Sequence, residues 1–332
     1  MERLELLRCW LESVLGHGDF ALTPASNDAS FRRYFRARFA DGRPSLIAMD
    51  APPGREDCRP YVHVAELFGA AGAHVPAVHA RDIDNGFLLL SDLGDTTYLA
   101  ALEPGSADRL YSDALESLLR IQLASRAGAL PEYSRELLSR ELALFPEWYV
   151  ARQLGRKLSD AQRRAMEESF AALLGNNLAQ PRVFVHRDYH SRNLMLCEPN
   201  PGILDFQDAV FGPATYDLVS LLRDAYISWP EERVIDWCIR YWERARNAGL
   251  PVAPDFSDFY RDFEWMGAQR QIKVLGIFAR LCFRDGKEAY LRDQPLVMRY
   301  LRATCQRYRE LAPLARLLDE LEPIEKKVGY TF

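Results

Sequence analysis

The chain opens on MERLELLRCWLESVL, an amphipathic helical pattern with charged residues throughout, and then changes character. Ser30–Phe39 is rich in aromatic and basic residues with strand character, and Asp41-Gly42 is a turn signal. Ser45–Met49 is a second strand-like run, so the spacing predicts a hairpin. Apolar residues return at helical spacing over Tyr61–Gly72. His74–His79 and Gly86–Leu90 read as further strands, and Ser91–Gly94 as a crossover. From Ser106 onward the period is 3.6. Helices are predicted around Asp108–Leu123, Arg135–Leu154, Asp160–Leu178, Glu231–Ala248, Phe256–Arg284 and Leu296–Leu311, as the stripe Val234, Trp237, Cys238, Tyr241 and Ala245 illustrates. Short strands near Val183–Val185 interrupt this helical half. The pattern predicts an α+β chain of two lobes: a small β-rich one over 1–90, a hinge at 91–94, and a large, mainly helical one over 95–332.

Composition narrows the class. With 332 residues, 48% hydrophobic and 27% charged, the chain can bury a large core, and no internal repeat or low-complexity tract is visible. No apolar run approaches the ~18 residues of a membrane span, and the charged opening is unlike a secretion signal, so no membrane is expected as a partner and a cytoplasmic location is. A net charge of −5 without a lysine-rich block argues against nucleic acid. The six cysteines lack CxxC spacing, which argues against both disulfides and zinc.

The chemistry concentrates between Val183 and Asp217, where VFVHRDYHSRNLML is followed by ILDFQDAVFGPATYDL. His186-Arg187-Asp188 precedes Asn193 by the spacing found in phosphoryl-transfer enzymes of the protein-kinase type, and Asp205 follows a second short strand and turn. Such transfer needs positioning and charge neutralisation more than covalent help. Asp188 is placed to orient, and to deprotonate, an attacking hydroxyl. Asn193 and Asp205 supply oxygen ligands suited to Mg²⁺ against nucleotide phosphates. His186 reads as a scaffold residue bonded to backbone, and Asp217 as a brace for the catalytic loop. Any one of these acids alone reads equally well as a helix cap or a solvated turn residue. Their order within one supersecondary unit is what selects a phosphotransferase. Asp208 stays open between metal neighbourhood and surface.

HRDYHSRN and LDFQDA resemble the aminoglycoside phosphotransferase and choline kinase family, small-molecule kinases of protein-kinase-like fold. SNDASFRRYFR, LIAMDAPP, FLLLSDLGDTTYL, RELALFPEWYV and FARLCFRDGK are together similar to a narrower group: bacterial anomeric kinases of N-acetylmuramate and N-acetylglucosamine that serve peptidoglycan recycling. The resemblance implies ATP and Mg²⁺ as cofactors, a small-molecule sugar substrate, a sugar 1-phosphate product and a monomeric protein. The adenine would meet the backbone of Ser91 and Leu93.

The chain departs from the kinase pattern in one respect. Ser45–Asp50 carries no lysine where the third strand usually has one, and the first lysine anywhere is Lys157. Arg32 or Arg33, following the small-residue turn that ends at Ser30, is the expected substitute, with Glu66 as its helix partner; adjacent strand side chains point to opposite faces, so at most one faces the nucleotide. For the acceptor, Arg270, Lys273, Arg280 and Arg284 form a basic stripe suited to an acidic sugar, and Trp148 and Tyr149 offer ring-stacking surface. An aminoglycoside or choline-type kinase, and a nucleotide-binding pseudokinase, remain alternatives.

Overall fold

The computed structural model describes residues 2–26 and 31–323, and these divide into two compact units: those up to 124 together with 186–209, and 125–185 together with 210–323. The segment 91–94 lies inside the first.

The first unit is built on helix α1 (Arg3–Leu15) and a five-stranded antiparallel sheet of β1 (Phe20–Ser26), β2 (Arg33–Phe39), β3 (Leu46–Asp50), β4 (Val78–Asp82) and β5 (Phe87–Ser91), in the order β1-β2-β3-β5-β4. Leu7 and Leu11, one turn apart on α1, pack with Phe20, Ala37, Ala48, Phe87 and Leu89 as a single apolar cluster. Strand β1 was not foreseen. Pro24 disguises it, and the structure tolerates that residue by placing β1 at the sheet edge with a register shift between Pro24 and Ser26. The strand expected over His74–His79 begins later, at Val78; His74 makes only an isolated bridge, to Gly202.

Helix α2 (Arg59–Ala70) buries Tyr61, Val62, Val64, Ala65, Leu67 and Phe68. The short α3 (Tyr98–Ala101) and the long α4 (Ala107–Leu123) follow β5. The chain returns to this unit later with the two-residue strands β7 (Leu194–Met195) and β8 (Gly202–Ile203), numbered after the β6 described next.

In the second unit β6 (Arg182–Val185) pairs antiparallel with β9 (Val210–Pro213), and the rest is helical: α5 (Arg135–Leu144), α6 (Asp160–Ala179), α7 (Tyr216–Leu222), α8 (Glu231–Asn247), α9 (Phe256–Asp285), α10 (Gln294–Arg307) and α11 (Ala312–Leu321). Helix α6 starts in a capping box, Ser159 with Gln162. The predicted stripe of α8 is the face it buries.

The helix expected to run unbroken over Arg135–Leu154 instead widens into a π-helix at Phe145–Gln153. Pro146 lacks the N–H that would continue the α ladder. Helix α11 was also not anticipated.

The thirty residues of α9 form the spine of this unit, buried on nearly every side from Phe263 to Ala279. Gly276 allows its backbone to touch the end of α5: a Cβ there would lie 2.5 Å from the carbonyl carbon of Leu144. Among the described residues no helix is long and apolar enough to cross a membrane.

Candidate active site

Strand β6 ends at the buried Val185, and the next residue, His186, opens the 186–209 segment of the first unit. His186 is fully buried, its ring packed on Phe68 and Tyr189. The Asp188 N–H donates to its Nδ1 at 3.2 Å, which leaves Nε2 to carry the proton and donate to the Leu204 carbonyl at 2.9 Å. Burial pushes the imidazole pKa down to about 4, so it is neutral at ordinary pH. His186 thus ties the two halves of the loop through neutral hydrogen bonds, as a scaffold.

Around it the structure brings together Asp188, Asn193 and Asp205. Asn193 Nδ2 donates to the Asp188 carbonyl at 3.0 Å and lies 3.5 Å from Asp205 Oδ2. With the amide nitrogen so engaged, Oδ1 is left as an acceptor. Leu204 N–H closes the turn on the Asn193 carbonyl at 2.9 Å. Two residues without a glycine's freedom, Arg187 and Asp205, have φ of 78° and 61°. These are the only non-glycine residues with positive φ among those described, and both fall here. The donor set of one amide oxygen and one carboxylate suits a hard divalent cation such as Mg²⁺.

Arg32 reaches this cluster: its Nη2 lies 3.5 Å from Asp205 Oδ1, and its side chain is only 10% exposed. Arg33 points elsewhere, as strand alternation requires, donating through Nε to Asp50 Oδ2 at 3.0 Å. Asp50, at the end of β3, is fully buried and also accepts from Arg3 Nε at 2.7 Å. The third strand therefore carries an anion neutralised by two arginines, and Arg32 is left for the cluster. Ser30 lies outside the described residues.

Glu66 is a correction. It sits on the solvent side of α2, and its ion pair is with Arg81 on β4 at 3.6 Å, because the helix turns its buried face away from this position.

Sequence reading missed two contributors. Gln207 Nε2 donates to Asp205 Oδ1 at 2.8 Å and to Asp208 Oδ2 at 3.3 Å, with Asp208 exposed; the LDFQDA run was the available signal. Arg36, on β2, binds Asp92 and Asp95 and donates to the Gly94 carbonyl at 3.1 Å, fastening the crossover that holds Ser91 and Leu93. Burial opposes ionisation of Asp92, yet hydrogen bonds from Arg36, Ser45 and the Gly94 N–H outweigh it and lower its pKa. Ser91 Oγ accepts from Ala77 N–H at 2.8 Å, and Leu93 is buried.

The remaining predicted residues lie in the second unit. Asp217 is fully buried in the first turn of α7. Trp148 is half-buried in the π-helix. Tyr149 stacks on Phe145, and its hydroxyl is committed to Glu322, so it offers neither a free ring face nor a free donor. The basic stripe of α9 does not act as one group. Arg270 and Lys273 are 5% and 6% exposed, whereas Arg284 is exposed and paired with Asp285. Lys273 is neutralised by Glu141 at 3.0 Å and donates to Tyr216 Oη at 2.8 Å.

A two-part fold with an HxD…N…D cluster of this geometry defines a kinase-like phosphotransferase. The model of the "Phosphotransferase enzyme family" matches residues 21–252, and the chain belongs to that family. It is 53% identical over 96% of its length, and 97% of the relative's, to an N-acetylmuramate/N-acetylglucosamine kinase of Pseudomonas aeruginosa. It is 52% identical, over the full length of both chains, to one of Neisseria meningitidis. Among solved structures it resembles the choline kinase LicA of Streptococcus pneumoniae, with a TM-score of 0.63 at 11% identity, covering 91% of this chain and 100% of that one.

Proposed function

We propose that this protein transfers the γ-phosphoryl group of ATP to the anomeric hydroxyl of N-acetylmuramate and N-acetylglucosamine, giving sugar 1-phosphates for cell-wall recycling. The observation that carries phosphoryl transfer is the Asp188–Asn193–Asp205 cluster on a strained, hydrogen-bonded loop. The sugars are carried by near-full-length identity to the two kinases so named.

Asp188 orients the acceptor hydroxyl and takes its proton. An anomeric hydroxyl is more acidic than a primary alcohol, so it asks only modestly of that base. Asn193 Oδ1 and the Asp205 carboxylate would hold Mg²⁺, which, when bound, neutralises charge on the phosphate oxygens. Arg32 supplies the cationic phosphate contact in place of the absent lysine, grasping oxygens through a planar fork. Ser91 and Leu93 offer their backbone to the adenine, with Arg36 keeping that crossover rigid. In this assignment 1–90 and the hinge 91–94 serve the nucleotide, while 95–332 serves catalysis and the acceptor, with Asp217 supporting the loop. The enzyme works as a cytoplasmic monomer.

ADP release with Mg-ATP against N-acetylmuramate, N-acetylglucosamine, kanamycin and choline tests this reading, with phosphorus NMR of the product to place the phosphate. Turnover confined to the acetylated sugars, a C1 phosphate, and loss in Asp188→Asn are expected. Turnover of kanamycin or choline, or ATP binding without turnover, would overturn it.

A further inference from the structure

The run LDFQD, Leu204–Asp208, divides its side chains between two tasks. Phe206 is fully buried, its ring centroid 4.7 Å from that of Tyr61 and 6.1 Å from that of Phe68, both on α2. That packing anchors the turn, and the Ala209 N–H closes it on the Phe206 carbonyl at 3.0 Å. Asp205 and Gln207 flank the anchored ring and meet each other: Gln207 Nε2 donates to Asp205 Oδ1 at 2.8 Å and also reaches Asp208 Oδ2 at 3.3 Å. Ionised carboxylates only accept, so the amide must present its nitrogen to them and its carbonyl oxygen the other way.

Backbone and packing fix where the Asp205 carboxylate sits but not how it is turned, because the torsion that spins a carboxylate is broad and soft. Three contacts act on it. Asp205 Oδ2 lies 3.5 Å from Asn193 Nδ2, and Oδ1 lies 3.5 Å from Arg32 Nη2; the Gln207 contact on Oδ1 is the shortest of the three. Gln207 therefore does most to hold Oδ1 on its own side and Oδ2 on the side of Asn193.

Stability does not account for an amide at this position. Gln207 is 8% exposed, and its Oε1 is sealed from solvent with no hydrogen-bond donor among the described residues. A buried amide oxygen left in that state costs folding free energy, whereas an apolar side chain of similar size would fill the same space without the cost. What the glutamine offers that such a side chain lacks is its N–H groups, and these face Asp205 and Asp208.

We infer that Gln207 is a positioning residue for the divalent cation: it holds the Asp205 carboxylate in the rotation that turns Oδ2 to Asn193, and removing it weakens cation binding without weakening the fold. The inference rests on the assignment of Asn193 and Asp205 to Mg²⁺ above, and adds to it the side chain that sets the geometry of the second ligand.

The test uses Mn²⁺ as the probe, its binding followed by EPR with saturating β,γ-methylene-ATP against a nucleotide-only blank, in wild type, Gln207→Met and Gln207→Asn. Thermal melts of the metal-free proteins accompany it. Loss of a hydrogen bond that orients a metal ligand should weaken Mn²⁺ binding about 10- to 100-fold in both variants, since asparagine carries the amide one methylene short of Asp205. The melting temperature of metal-free Gln207→Met should hold or rise, because methionine fills the space without an unsatisfied oxygen. Affinity and stability thus move independently, which a merely structural glutamine would not allow. Mn²⁺ binding within about twofold of wild type in either variant, or a methionine variant whose melting temperature falls in step with its affinity, would overturn the inference. Wild-type protein that binds no Mn²⁺ beside the nucleotide analogue would instead defeat the cation assignment itself.

Discussion

The 186–209 segment and the centre of α9 both bury polar and charged groups, and they do so by opposite means. In the first, most contacts come from near neighbours in sequence, His186 with Asp188 and Leu204, Asn193 with Asp188 and Asp205 with Gln207, while Arg32 reaches Asp205 from far along the chain. In the second, Lys273 is met by residues from two other helices, Glu141 and Tyr216, and Arg270, among the described residues, by none. Local satisfaction ties the loop together through contacts between residues close in sequence. Distant satisfaction makes the helix centre a stability element at Lys273, whose partners come from α5 and α7.

The sharpest way to break this comparison is at its reactive end. Asp188→Asn keeps the shape of the side chain and removes the proton acceptor, so kcat should fall by about 10²–10⁴ with the melting temperature nearly unchanged. A matching loss of stability would make Asp188 a structural member of the loop, like His186. At the other end, Lys273→Met strands the buried Glu141, since the lysine and glutamate side chains are only 8% and 7% exposed. Urea unfolding should show a loss of about 3–5 kcal/mol. Arg270→Met should cost no stability, because it removes a charge that the folded chain does not compensate. Equal losses in the two variants would erase the distinction drawn between neighbouring turns of α9.

The pH dependence of stability probes the scaffold. Burial holds the His186 pKa near 4 in the folded chain, below the unfolded value of about 6.5. Between those values the unfolded chain binds a proton that the folded chain refuses. Stability is therefore full above about pH 6.5 and falls as the pH drops toward 4, by about 2–3 kcal/mol from this group. His186→Gln should flatten that stretch of the curve in urea melts at about pH 7 and about pH 4.5, and an unaltered slope would assign the acid lability to other groups.

What could be read from the sequence follows the same division. The loop was legible because its partners lie within about twenty residues of one another, so spacing alone carried their roles. The helix α9 was legible as a helix, but the pairing of its charges was not. Periodicity places Arg270 and Lys273 near one face, and nothing local says that Glu141, over a hundred residues earlier, neutralises only the second. The same limit hid the π-helix, where Pro146 was visible but the widened ladder depends on packing, and the edge strand β1, where Pro24 masked a strand that pairing with β2 sustains. It also hid the answer to the missing lysine. Arg32 and Arg33 were indistinguishable in sequence until Asp50 was seen to claim Arg33.

That last pair gives the smallest effects and the finest discrimination. Arg32→Ala should raise the KM for ATP about tenfold, because a cationic phosphate contact is worth roughly 1.5 kcal/mol or somewhat more, while leaving the melting temperature in place. Arg33→Ala should do the reverse, lowering stability by leaving the buried Asp50 with Arg3 as its remaining arginine, and sparing the KM. Glu66→Ala, on the solvent face of α2, should change neither: about 0.5 kcal/mol or less in stability and less than about twofold in KM, since its pair with Arg81 is exposed on both sides. A rise in the KM for ATP on removing Glu66 would overturn this assignment and return the helix glutamate to the nucleotide site as a partner of Arg32, in place of the pair with Arg81 that the structure shows.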